Sequence, residues 1–367
     1  MCVIGAGVVG CSAAYELVRA GYDVVLVDGA PGPGTGASLA NGAQLSYSYV
    51  EPLASPATLR ALPWMLLNPQ SPLAFRPKWD AAQWRWLLKF IASCRASQAR
   101  KATLALLATA ALSRQRLEAW LQEDSLDVDL RRNGKLVLCA DSGSLERQAL
   151  QVKLQAGAGP LQEVLNREDC LAREPALVNY RAFIGGIWTS SECSADPHQY
   201  CVALVDAAIR RGLQPRFTTR AVRFVVQGGR VVVLETDAAP IHADVYVIAT
   251  GVDAPRLASQ LDEQLAIYPV KGYSLTLNTR PGAALPSTSV TDLRHKTVLA
   301  PLGGRLRVAA MAEIVGRDLT IPQKRIDQMM ETVDAIYPGL CDFANPSPWS
   351  GLRPATPTAL PIVRQSR

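Results

Sequence analysis

Three glycines near the start of the chain stand at a spacing that implies chemistry. Gly5, Gly7 and Gly10 fit G-x-G-x-x-G within residues 4–28, IGAGVVGCSAAYELVRAGYDVVLVD. Each has its own physical task. The first permits a tight turn, and the second lets backbone N–H groups approach a pyrophosphate. The third lets a helix pack close to the strand before it, so that the helix N-terminus faces an anion with its partial positive charge. Asp28 closes a second apolar run eighteen residues after Gly10. A carboxylate at that point can accept the hydroxyls of a ribose. Strand, helix, second strand and terminal acid in this order mark a βαβ unit that binds a dinucleotide. The motif alone does not separate FAD from NAD.

The rest of the chain must position this unit. With 367 residues, 49% hydrophobic and 19% charged, it is long enough for two interleaved domains with well-buried cores. The formal net charge of +6 favours anionic partners without naming one. The eight cysteines are scattered with no C-x-x-C pair, and the three histidines, His198, His242 and His295, lie far apart. Reduced, mostly buried thiols are expected, and no metal-ligand spacing is present. The apolar start runs straight into the glycine turn, and no run approaches the roughly 18 apolar residues of a membrane-spanning helix. The expectation is a cytoplasmic enzyme.

Residues 29–46 are rich in Gly and Pro and read as turns. Residues 52–117 carry ten Lys or Arg against a single acid, Asp80, and read as helical. Within them Trp84, Leu87, Leu88 and Ile91 recur at helical spacing, interleaved with Arg85, Lys89 and Arg95. Further on, NGKLVLCAD and IGGIWTS read as strands, and HQYCVALVDAAIRRG as a helix. RFTTRAVRFVVQGGRVVVLETD reads as a hairpin turning at QGGR. ADVYVIATG is a buried strand ending in glycine. Two β-rich stretches, YPVKGYSLTLNT and HKTVLAPLGGRLRVAAMAEIVG, precede the helix IPQKRIDQMMETVDAIYPG.

IGAGVVG, ASLANGAQLS, YPVKGYSLTL, RVAAMAEIVG and WSGLRPATP together resemble the bacterial FAD-dependent D-amino-acid dehydrogenases, within the D-amino-acid oxidase, glycine oxidase and sarcosine oxidase group. The resemblance spans nearly the whole chain. It implies an α/β fold: a Rossmann-type FAD-binding domain of glutathione-reductase type, interleaved with an α+β substrate domain on a mixed sheet. Residues 1–50, 140–265 and 345–367 would form the FAD domain. Residues 51–139 and 266–344 would form the substrate domain, with a basic helical segment at about 57–103. The implied reaction is oxidative deamination of D-amino acids to 2-oxo acids and ammonia, by hydride transfer from Cα to flavin N5. Electrons would pass to a membrane quinone or another acceptor. A neutral amine needs no protein base for this chemistry, so binding and orientation carry most of the catalysis.

By resemblance, Ser38, Asn41, Gly42 and Gln44 wrap the flavin, Thr219 and Ala221 lie near adenine, and Ala249, Thr250 and Gly251 pass the nucleotide. Arg353 is the choice for the substrate carboxylate, which a planar guanidinium grips bidentately. Lys271 and Tyr273 read as a site wall, with Tyr273 closing on the substrate. Met311 and Glu313 fall where a strand passes the isoalloxazine, Glu313 having an ion-pair role as its alternative. His295 occupies a place where the dehydrogenases often carry tyrosine, and His198 reads as a surface or capping residue.

The basic segment from about Trp64 to Lys101 reads either as a peripheral foot on the inner face of an anionic membrane or as a solvated helical pair. Thr358 stands where the family usually has aspartate. The family pattern also continues past Arg367 with a strand, a glycine–histidine loop and a helix, so the expectation is a chain that ends within its FAD domain. Two other readings stand beside the dehydrogenase: an oxygen-using amine oxidase of glycine or sarcosine type, and a non-catalytic flavoprotein-like binding subunit.

Overall fold

Two sheets organise the computed structural model, which describes residues 1–48, 50, 52–60, 71 and 73–366. The smaller is parallel, with strands in the order Tyr246–Ile248, Cys2–Ile4, Val25–Val27 and Gln214–Arg216. Its apolar runs are short and continuous because both faces are covered. Val3 and Leu26 face helices Val8–Arg19 and Pro197–Ile209, with Tyr15 and Trp120 in the same cluster. Cys2, Ile4 and Val27 face the other way, onto Phe224, Leu234 and Leu257. The first two of those belong to the hairpin of strands Ala221–Gln227 and Arg230–Thr236. Its turn falls at Gly228 (φ 56°) and Gly229 (φ 74°). Two consecutive positive φ values are what a tight hairpin of this twist requires.

The larger sheet has nine strands. Along its path they run Ser347–Ala355, Tyr268–Asn278, Arg305–Ile314, Thr297–Leu302, Ser289–Asp292, Lys135–Cys139, Gly185–Thr189 and Glu163–Asn166, while Leu73–Phe75 joins Arg305–Ile314. The sequence reading places 140–265 and 345–367 in the cofactor domain. The strands at Glu163–Asn166, Gly185–Thr189 and Ser347–Ala355 nevertheless pair in this larger sheet. One face packs on helix Gln323–Ile336 through Ile326, Met329, Val333 and Ile336, forming the largest core of the molecule.

In the basic segment, Asp80 caps helix Ala81–Ser93 by accepting the Ala82 N–H at 2.9 Å. The buried stripe is Gln83, Trp86 and Phe90, the two aromatics packing on Tyr268, Val270 and Ile314. Of the stripe read from sequence, Leu87 is partly packed, while Trp84, Leu88 and Ile91 face solvent, Leu88 at 68% exposure. The helix has two apolar faces and one core to bury them in. Trp64 lies outside the described residues. Among the described residues, no helix is long and apolar enough to cross a membrane.

Candidate active site

The glycine turn is assembled by close approach. Gly5 has φ 102°, and a Cβ there would stand 2.5 Å from the Ala249 carbonyl oxygen. A Cβ on Gly10 would stand 1.7 Å from the Gly5 carbonyl oxygen. Gly7 is different: the nearest atom to its absent Cβ is Ser38 Oγ at 3.5 Å. Two of the glycines are filled by protein and the middle one opens outward. Asp28 pins the turn, accepting from Ala6 N–H at 2.6 Å and Ala30 N–H at 2.8 Å. Ser38 Oγ accepts from Val8 N–H at 3.0 Å.

These residues fit a dinucleotide. Helix Val8–Arg19 has no acid in its first turn and an N-cap glycine with no side chain to offer. Val8 and Val9 are exposed at its start. Across the turn, Thr250 Oγ1 is buried without a hydrogen-bond partner. Gly251, at φ 56°, has open space where a Cβ would be. A helix start with a glycine N-cap and no acid in its first turn, an orphaned hydroxyl and open glycines are the groups a pyrophosphate and ribose satisfy. Thr219 adjoins, its N–H donating to the Asp28 carbonyl at 2.9 Å. Ala221 is buried in the hairpin, where its carbonyl accepts from Arg256 Nη2 at 2.9 Å.

Residues 38–48 then cross the larger sheet strand by strand. Ser274 Oγ donates to the Ala40 carbonyl. On the next strand Arg307 Nη1 donates to the Asn41 carbonyl at 3.0 Å, and its Nε to Thr276 Oγ1 at 2.8 Å. The absent Cβ of Gly42 would meet Ala309 Cβ at 3.4 Å and Val298 at 3.5 Å. Ala43 packs on Ala300 and Leu302. The Gln44 amide faces Val290 and Thr291 at 3.5 and 3.4 Å. Lys135 Nζ donates to Ser46 Oγ at 2.8 Å. At the far end the buried Glu192 carboxylate accepts Tyr47 N–H at 3.0 Å and Ser48 N–H at 2.7 Å.

Strand alternation puts Gly272, Ser274 and Thr276 on this loop side, along with their cross-strand partners Gly351 and Trp349. Arg353 joins them. Its guanidinium lies over Gly272, and Nη1 donates to the Met311 carbonyl at 3.1 Å. That carbonyl is turned by a bulge in strand Arg305–Ile314, where Met311 takes φ 66°. A left-handed methionine inside a strand is a local strain, of the kind found beside functional sites. Arg353 has no acidic partner among the described residues, and desolvation by surrounding protein lowers its pKa although solvent reaches it. Strand Ser347–Ala355 also packs against the turn Gly251–Asp253, so the strand that carries Arg353 adjoins the nucleotide end.

Lys271 and Tyr273 lie on the opposite, helix-side face. The Tyr273 hydroxyl donates to Glu313 Oε2 at 2.7 Å, and Arg325 reaches Glu313 Oε1 through Nε at 3.0 Å and Nη2 at 2.8 Å. Lys271 Nζ donates to the Thr320 carbonyl at 3.0 Å and stands 3.6 Å from Glu313 and 3.8 Å from Asp318. A cavity of about 210 Å³ opens beside them, with Arg76 and Lys324 on its wall. Burial, then the bond to Glu313, pushes the Tyr273 pKa up. Glu313 thus sits in an ion-pair network. His295 pairs with the buried Asp292, which also accepts from Tyr180 at 3.3 Å. His198 donates its backbone N–H to the capping Asp196 at 2.8 Å, as a capping-turn residue does.

Sequence reasoning missed Ser274, Arg307 and Lys135. The signal was parity: Ser274 and Thr276 alternate with Leu275 and Leu277, and Arg305 and Arg307 with Leu306 and Val308. A polar residue repeating at every second position of a buried strand has a polar partner above it.

The family model described as FAD dependent oxidoreductase matches residues 1–367. The chain is 44% identical to D-amino acid dehydrogenase 2 of Pseudomonas aeruginosa, covering 99% of this chain and 86% of that protein. It is 41% identical to D-amino acid dehydrogenase 2 of Ralstonia nicotianae, covering 99% and 88%. The crystal structure of glycine oxidase from Geobacillus kaustophilus superposes with a TM-score of 0.74 at 20% identity, covering 98% of this chain and 84% of that one, which is a likeness of fold. With a whole-chain family match and a glycine cradle that fits its cofactor, this chain belongs to the FAD-dependent oxidoreductases.

Proposed function

We propose that the chain oxidises D-amino acids to 2-oxo acids and ammonia and passes the electrons to a membrane quinone. The observation that carries this reading is Arg353: a solvent-accessible guanidinium with no acidic partner among the described residues, laid over Gly272 on the sheet face that residues 38–48 cross. A cation without a counter-ion is poised for an anion from outside, and a guanidinium matches a carboxylate in shape. The names of the relatives above support the D-amino acid class.

FAD, when bound, supplies the hydride acceptor. The chain's own residues do the rest. Gly5, Gly7, Gly10, Asp28, Thr250 and Gly251 hold the dinucleotide, with Ala221 near its adenine. Ser38, Asn41, Gly42 and Gln44 wrap it along the sheet. Arg353 fixes the carboxylate and thereby aims Cα; Lys271 and Tyr273 brace the same strand from behind. The amino acid loses a hydride from Cα and a proton from nitrogen, and water converts the resulting imine to 2-oxo acid and ammonia. An amine that enters neutral needs no protein base. Holding the reacting atoms in line is the main contribution.

The contact with the quinone's membrane is assigned to helix Ala81–Ser93. Trp84, Leu88 and Ile91 form its outward apolar stripe, the fully exposed Trp79 precedes it, and Arg85 and Lys89 are exposed beside it. Apolar groups ringed by cations suit an anionic lipid surface.

Anaerobic addition of D-alanine to the FAD-loaded chain tests the reaction. Bleaching of flavin absorbance by the D-isomer alone is expected, followed by recolouring with a soluble quinone analogue faster than with air. Bleaching by L-alanine, or rapid peroxide formation in air, would overturn the reading. Vesicles containing phosphatidylglycerol should sediment the protein, and Leu88→Glu should abolish sedimentation without altering turnover.

A further inference from the structure

Gly272 sits in the middle of an extended strand whose backbone would accept any residue. In such a place a glycine weakens the strand and marks a close approach. The approach here is by one side chain. A Cβ on Gly272 would stand 2.4 Å from Arg353 Nη1, 2.4 Å from Nη2 and 2.5 Å from Cζ. Its partner directly across the ladder is a second glycine, Gly351. There the missing Cβ leaves room for the Trp349 ring, whose Cη2 would be 2.0 Å away. Facing glycines thus pave this face with one guanidinium and one indole.

We propose that Gly272 is a positioning residue for Arg353, its absent side chain forming the flat seat on which the guanidinium lies. This inference rests on Arg353 holding the substrate carboxylate. The Met311 carbonyl takes Nη1, and the strand backbone at Gly272 backs the plane. The guanidinium is thereby held flat, which fixes the direction in which it can present paired N–H groups. A methyl group at 272 lifts the plane off the strand and turns those groups away. A shift of about 1 Å in a substrate-positioning group can cost about 100-fold in rate.

The test is a double-mutant cycle on the FAD-loaded chain with D-alanine, reading KM, kcat and flavin content. Gly272→Ala is expected to raise KM about tenfold or more, with kcat falling less and flavin retained, as for loss of a carboxylate contact. In an Arg353→Ala background the same change should cost nothing further, because its target is gone. A KM for Gly272→Ala within about twofold of the parent, or losses that multiply in the double variant, would overturn the inference. If Arg353→Ala itself leaves KM unchanged, the carboxylate reading fails, and the inference with it. Should Gly272→Ala not fold, added guanidinium ion tests the seat with Gly272 intact. Restored turnover of Arg353→Ala at low millimolar guanidinium supports the seat, and absence of rescue counts against it.

Discussion

Strand Tyr268–Asn278 presents polar residues to both sides of the larger sheet, and the two sides treat charge in opposite ways. On the helix side, Lys271, Glu313, Arg325 and Tyr273 close on one another, with Glu313 receiving three hydrogen bonds. On the loop side, Arg353, Arg307 and Lys135 are each held by backbone carbonyls or hydroxyls, and burial lowers the pKa of all three. The helix-side charges neutralise one another, whereas on the loop side Arg353 keeps a guanidinium that no acid among the described residues takes up. Charge around this strand therefore divides by sheet face.

The comparison can be broken from either side. The largest effect is expected from Glu313→Ala, which strands three donors in a buried place. Stability should fall by about 3–5 kcal/mol, read by denaturant unfolding of the FAD-loaded chain, while KM of the folded fraction stays near the parent. A mild loss of stability with a large rise in KM would move Glu313 into the site. Arg353→Ala should do the reverse. A fall of about 100-fold in kcat/KM for D-alanine, near 3 kcal/mol, should come with little change in unfolding midpoint. Loss of stability in place of activity would make Arg353 structural.

The smallest effect sharpens the picture through pH. Burial holds the Lys135 pKa down, from 10.5 to about 8. The unfolded chain therefore binds more protons at this site between the two values, and stability contributed here rises as pH rises through that window. Between about pH 8 and pH 9.5 the gain is roughly 1–2 kcal/mol, and Lys135→Met should remove that slope. An unchanged slope in the variant would show that Lys135 is not the buried cation responsible.

Much of this was legible beforehand. The glycine turn, the hairpin at residues 228–229 and the helix Gln323–Ile336 follow from local rules that tertiary context seldom overrides: positive φ at glycine, and 3.6-residue periodicity. Which side of a doubly buried strand meets the cofactor loop was not. Alternation sorts Lys271 and Tyr273 from Gly272 and Ser274, but it assigns neither set to a side, because both carry polar groups and both are buried. That assignment depends on residues more than 200 positions away, as when Ser274 reaches Ala40. Which face of helix Ala81–Ser93 is buried stayed open for a related reason: its sequence carries two apolar stripes, and only packing decides which one is covered.

The path of residues 38–48 has a consequence for motion. Peptide segments that open independently are held by a few contacts along one neighbour, and they can fray from an end. This one is tacked to strand after strand, from Ser274 to Lys135, with Glu192 closing its far end. To lift it, the anchors on several strands must be released together, and their sum approaches the cost of opening the sheet itself. Its amide protons should then exchange with solvent at the slow pace of global unfolding. In kinetic terms the segment belongs to the large sheet, although chain continuity ties it to the glycine turn.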